Sequence, residues 1–117
     1  MKEFYKKILK ILFAFIALIN SVSSEEVVKI GLLVPLSGES SHIGQSIIQS
    51  VRLGINKINN DKLLVVPRDT KSDQATTLKV IDELYSDGIK VFIGPVFNKN
   101  LKELNKFQDA TFLSFTN

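Results

Sequence analysis

Apolar positions fall in short blocks along this chain, and the spacing inside each block predicts a different element. Ile11 to Ile19 is an unbroken apolar run behind a lysine-rich start, and Asn20-Ser-Val-Ser-Ser24 follows it. Val27–Val34 is a second apolar, β-branched run that reads as a strand buried on both faces, hence an inner parallel strand ended by Pro35. Ile47, Ile48, Val51, Ile55 and Ile58 then recur at spacings of three and four, which predicts a helix with Gln45, Gln49, Arg52, Asn56 and Asn59 on its wet side. Gly54 lies within that helix and is expected to allow close approach to a sheet.

Leu63–Val66 predicts a second strand, closed by Pro67. Arg68–Asp73 is a polar connection in which Ser72 or Asp73 can cap the next helix. Leu78, Ile81, Leu84 and Tyr85 form that helix's apolar stripe, and Gly88 stands where a helix ends. Lys90–Gly94 predicts a third strand, Leu101, Leu104 and Phe107 a third helix, and Thr111–Phe115 a fourth strand.

Strand and helix alternate with short connections, so the fold class is α/β, an open parallel three-layer βαβαβαβ sheet. Right-handed crossovers favour the strand order 2-1-3-4 with the Val27 strand inside. In such sheets a ligand lies beyond the carboxyl ends of the strands. The segments there are Pro35–Ile43, Arg68–Asp73, Pro95–Asn100 and Thr116–Asn117. The last strand ends close to Asn117 with no helix after it, so the sheet reads as unfinished and the chain as a fragment of something larger.

Charge refines the first block. The net charge of +3 comes from Lys2, Lys6, Lys7 and Lys10 against Glu3, while the remaining 11 basic and 11 acidic residues cancel. The rest of the chain therefore carries no basic footprint for nucleic acid. A basic start, a short apolar core and small residues are the order of a secretory signal, so residues 1–24 are expected to be a signal peptide and 25–117 the mature domain. Cleavage is expected after Ser24, with Val22 and Ser24 in the peptidase's small pockets, or after Ser23. The alternative, an uncleaved membrane anchor, needs roughly 20 apolar residues, more than this run supplies. Either way the remainder lies outside the cytoplasm.

The chain has no cysteine, which removes disulfides, thiolate metal sites, cysteine nucleophiles and a lipoprotein anchor. No phosphate loop, dinucleotide glycine fingerprint or nucleophile elbow is present, so no enzyme activity, cofactor or metal is expected. His42 is the one histidine and reads first as a polar residue near a helix start. Asp69 and Asp73 can be taken as paired carboxylates, but a loop hydrogen-bonder and a helix cap are the simpler roles. Receiver domains also carry acidic residues after strand ends; the leader argues against that cytoplasmic role.

"KIGLLVPLSGESSHIGQSIIQSVRLGINKIN" resembles the opening of type I periplasmic solute-binding proteins related to the leucine/isoleucine/valine-binding proteins. "RDTKSDQATTLKVIDELYSDGIKVFIGPV" is similar to that family's acidic turn, helix, Asp-Gly and Ile-Gly-Pro strand end. The resemblance runs from Val28 to Asn117 and implies the first part of the N-terminal lobe of a two-lobed, hinged binding protein. It implies a small polar ligand, an amino acid above all, held by Ser37, Ser41, His42, Asn98 and Thr116 through hydroxyls and backbone amides. It also implies delivery to an ABC permease in the periplasm. Asn98 can equally be a cap for the helix that follows it. The family's Ser-Pro after the fourth strand is replaced here by Ser114-Phe115, and "IGPVFNKN" with "LSFTN" resembles the solute-binding-like domain of penicillin-binding-protein activators. That branch implies an interaction protein that contacts a cell-wall synthase.

Overall fold

A computed structural model describes residues 1–19, 24–97 and 101–115. Helix α1 (Lys2–Ile19) comprises the basic start and the apolar run together, and its large apolar side chains through Ile16 are exposed. Among the described residues no helix is long and apolar enough to cross a membrane.

The domain that follows contains β1 (Val28–Val34), α2 (Ser41–Ile58), β2 (Leu63–Asp69), α3 (Gln74–Ser86), β3 (Val91–Ile93), a 3-10 helix (Leu101–Lys106) and β4 (Thr111–Leu113). The strands form one parallel sheet in the order β2-β1-β3-β4, as the alternation predicts. β1 lies inside because it is apolar on both faces, and Leu32, Leu33 and Val34 are essentially inaccessible. Its residues alternate between two cores. Leu33 packs with Ile81, Leu84, Ile89, Phe92 and Phe107 on the α3 face. Leu32 and Val34 pack with Ile48 and Val96 on the α2 face. The Phe92 ring stacks on Phe112 of β4 at 4.9 Å between centroids. Gly31 makes room for that ring: a Cβ there would lie 2.6 Å from Phe92 Cδ1.

Several local expectations are corrected. β2 does not end at Pro67 but runs on to Asp69, with Pro67 paired to Leu32. As an edge strand it needs hydrogen-bond donors on one side only, so a proline is tolerated there. Gly54 does not approach the sheet; it is exposed with nothing near its missing side chain. The close approach is at Gly44, where a Cβ would fall on the Pro35 carbonyl oxygen. Ile58, expected on the buried stripe of α2, is 59% exposed. The third helix is a single 3-10 segment, too short to build an α-helical stripe, although Leu104 and Phe107 still reach the α3-face core. β4 stops at Leu113 rather than Phe115.

The end of α3 follows its sequence signal closely. Gly88 adopts φ +90°, its amide bonds the Tyr85 carbonyl at 3.0 Å, and the Ile89 amide bonds the Leu84 carbonyl at 3.0 Å. This paired arrangement satisfies the last carbonyls of the helix and drops Ile89 into the core.

Candidate functional site

Three loops meet beyond the carboxyl ends of β1, β2 and β3, and one carboxylate ties the first two together. Asp69, the last residue of β2, accepts from the Leu36 amide (2.8 Å), the Ser37 hydroxyl (2.7 Å) and the Lys71 amide (2.8 Å). Partial burial pushes the Asp69 carboxyl up, but these donors and the Ser37 amide outweigh it and hold the group below its ordinary range. Asp69 is thus the loop hydrogen-bonder that its setting suggests.

The β2–α3 connection is a tight turn. Lys71 and Ser72 both sit in the left-handed region, at φ 53° and 54°, and the Asp73 amide closes the turn on the Thr70 carbonyl at 2.9 Å. Two non-glycine residues in succession at positive φ are uncommon, and such backbone is held only where its surroundings fix it. Here the Asp69 bond to Lys71 and the start of α3 fix it from both sides. Asp73 caps α3: its Oδ2 accepts from the Thr76 amide (2.8 Å) and the Thr76 hydroxyl (2.7 Å). These Thr76 donors, with a smaller contribution from the Lys71 charge, hold the Asp73 carboxyl below its ordinary range. At the end of β3, Gly94 has φ +104° and its amide bonds the Leu113 carbonyl at 2.8 Å; a Cβ at Gly94 would meet the Leu33 carbonyl oxygen. Pro95 and Val96 turn inward, and Phe97 is left 44% exposed.

Between these loops lies a cleft of about 280 Å³. Ser40, Thr70, Ser72, Asp73, Gln74 and Thr77 form its polar side. Leu78, Pro95, Phe97 and Leu104 form its apolar side. Amphipathic clefts of this size at strand carboxyl ends suit small ligands, with a few polar groups setting orientation. Among the described residues no cluster of histidine, aspartate and glutamate could hold a metal ion.

The residues expected from sequence are placed unevenly around this cleft. Ser37 is exposed and donates its hydroxyl to Asp69. Ser41 is the first residue of α2 and half-buried. His42 is exposed, with Nδ1 3.0 Å from the Glu39 carbonyl. None of these three lines the cleft, whereas their neighbour Ser40 does. Asn98 and Thr116 lie outside the described residues. The polar wall was not singled out residue by residue in the sequence. Its signal was present in the Arg68–Asp73 loop and in the hydroxyls of the first turn behind the Asp73 cap.

Known proteins resemble this chain in sequence and fold. The family model for periplasmic binding proteins matches residues 27–111. A protein of Methanocaldococcus jannaschii, described as uncharacterized, is 30% identical over 96 residues, 75% of this chain and 23% of its own length. The C-domain of LpoA from Haemophilus influenzae, described as a regulator of PBP1A, superposes with TM-score 0.63 at 26% identity, over 76% of this chain and 28% of that one. The solute-binding protein of an ABC transporter from R. palustris, solved with benzoate, gives TM-score 0.56 at 25% identity, over 60% of this chain and 21% of that one. The chain thus spans about a quarter of the length of these relatives. Signature loops, sheet order and a family match across nearly the whole globular part agree, and the chain belongs to the periplasmic binding protein family, type I.

Proposed function

We propose that this chain supplies one wall of a cleft for a small polar solute, an amino acid or a close chemical relative, captured in the periplasm for an ABC importer. Residues 1–24 act in this reading as the export signal, and the domain is a binder rather than an enzyme. The observation that carries it is the position of the cleft: hydroxyl-lined on one side, apolar on the other, and beyond the carboxyl ends of parallel strands. Ser37, Ser41 and His42 then act around the loop that forms its rim, with Asn98 and Thr116 completing the ligand shell. The similarity to an ABC solute-binding protein solved with benzoate supports a small organic molecule as the kind of ligand, without indicating its head group.

A thermal-shift panel of amino acids, small amines and small carboxylates tests this. A ligand at a hundred times its dissociation constant stabilises the fold by about 2.7 kcal/mol. No shift from any member of the panel removes the solute reading.

A second reading has its own support. The similarity to LpoA extends over more of this chain, and at a higher TM-score, than the similarity to the ABC solute-binding protein. In this reading the domain contacts a cell-wall synthase and the cleft is reused or idle. Retention of a purified cell-wall synthase by the immobilised protein, with a flat thermal-shift panel, is its expected signature.

A further inference from the structure

The polar wall of the cleft holds two side-chain oxygens that no described residue engages, on Thr70 and Asp73. Thr70 is 3% exposed, the one buried polar residue among those described, and it lines the cleft. Its backbone amide bonds the Val34 carbonyl and its carbonyl accepts from Asp73, but its hydroxyl has no hydrogen-bond partner among the described residues. Buried hydroxyls are seldom left in that state. Asp73 uses only Oδ2 as a cap; its Oδ1 takes no hydrogen bond from any described residue.

A helix N-terminus ordinarily attracts anions. At α3 this attraction is partly met within the chain: the Thr76 amide is bonded to Asp73 Oδ2, and the Thr77 amide makes the first bond of the helix, to the Asp73 carbonyl at 2.9 Å. The Asp73 charge also opposes a second anion, and among the described residues the cation acting on it is the exposed Lys71.

We propose that the Thr70–Thr77 turn is an amine-recognition point, in which the Thr70 hydroxyl and Asp73 Oδ1 accept hydrogen bonds from the ammonium group of a solute whose apolar body rests on Leu78, Phe97 and Leu104. This deepens the solute reading of the cleft and rests on it. A solute of this class enters with its cationic end toward α3 and its apolar end toward the β3 loop. An anion of the same shape is rejected.

Benzylammonium and benzoate have the same ring and opposite charge, so they isolate the head group. Each is titrated into the protein at neutral pH while backbone amide resonances are followed. Benzylammonium is expected to shift Thr70–Thr77 and to bind at least tenfold more tightly than benzoate. Asp73→Asn keeps a capping side chain but removes the charge; it and Thr70→Val are each expected to weaken benzylammonium at least fivefold, and Thr70→Ser to restore it. Circular dichroism verifies that the variants are folded. Equal binding of the two probes, or an Asp73→Asn variant with unchanged affinity for benzylammonium, overturns the proposal. If both probes shift Leu78 and Phe97 without preference, the cleft remains a solute site and only the head-group assignment fails. If neither probe nor an amino-acid panel shifts any cleft residue, both readings fail.

Discussion

The Leu36 amide donates to Asp69 Oδ1 at 2.8 Å across 33 positions of sequence, joining the loop after β1 to the end of β2. The same carboxylate accepts from Ser37 and Lys71, so one side chain sets the spacing of two loops at the mouth of the cleft. Asp69→Ala is expected to lower stability by about 1–2 kcal/mol, the lower part of the range for charge-assisted bonds because Ser37 and Lys71 are exposed. Urea denaturation measures the loss. Hydrogen exchange at Leu36 and Lys71 is expected to quicken more than exchange at Leu33.

The acid limb of the stability curve follows from the same group. Asp69 is held below its ordinary value of 3.8, so its contribution is complete above that value and is lost as pH falls through it toward the lower native one. Asp73 shifts in the same direction and adds to the slope. Unfolding free energies compared between the protein and Asp69→Asn from pH 6 to pH 3 are expected to converge as pH falls. A gap independent of pH contradicts a role for the ionised carboxylate.

Two glycines of α2 predict opposite outcomes. Gly44→Ala places a methyl group on the Pro35 carbonyl oxygen, a backbone atom rather than the end of a flexible side chain. A loss of about 1–3 kcal/mol is expected, as for an overpacked core. Gly54→Ala enters open space on an exposed helical face, and a gain of about 1 kcal/mol is expected from helix propensity. The two midpoints in one denaturant series test both.

Phe92 is the hub of the α3-face core, fully buried and stacked on Phe112. Phe92→Ala is expected to cost about 3–5 kcal/mol, enough to unfold a small domain. Phe92→Leu retains most of the volume, and a markedly smaller loss is expected in the same thermal melt.

Much of this architecture was legible in the chain because its signals are local. The β-branched run of β1, the apolar stripe of α3 and Gly88 behind it each specify an element without reference to partners. The sheet order followed from alternation and handedness. What escaped depended on neighbours. Pro67 ends a strand unless the strand is at an edge, and being at an edge is a property of the whole sheet. Gly44 and Gly54 look alike in sequence, and only the path of the β1–α2 loop distinguishes them. The cleft wall escaped for the same reason: Thr70 and Thr77 are ordinary threonines until a turn with two left-handed residues brings them to one side. Ser37 looked like a ligand contact because it sits in the signature loop, yet its hydroxyl is engaged with Asp69.

The notch at Gly31 has a consequence for how the sheet finds its alignment. Leu32, Leu33 and Val34 are apolar whichever way they face, so hydrophobicity by itself cannot tell β1 whether it has slid by one position against its neighbours. Gly31 can. It faces the Phe92 ring and the Leu84 side chain, and a slide in either direction would bring Ile30 or Leu32 into a space that admits no side chain. The missing side chain therefore acts as a keyway, and the alignment of the strands whose ends carry the cleft depends on it.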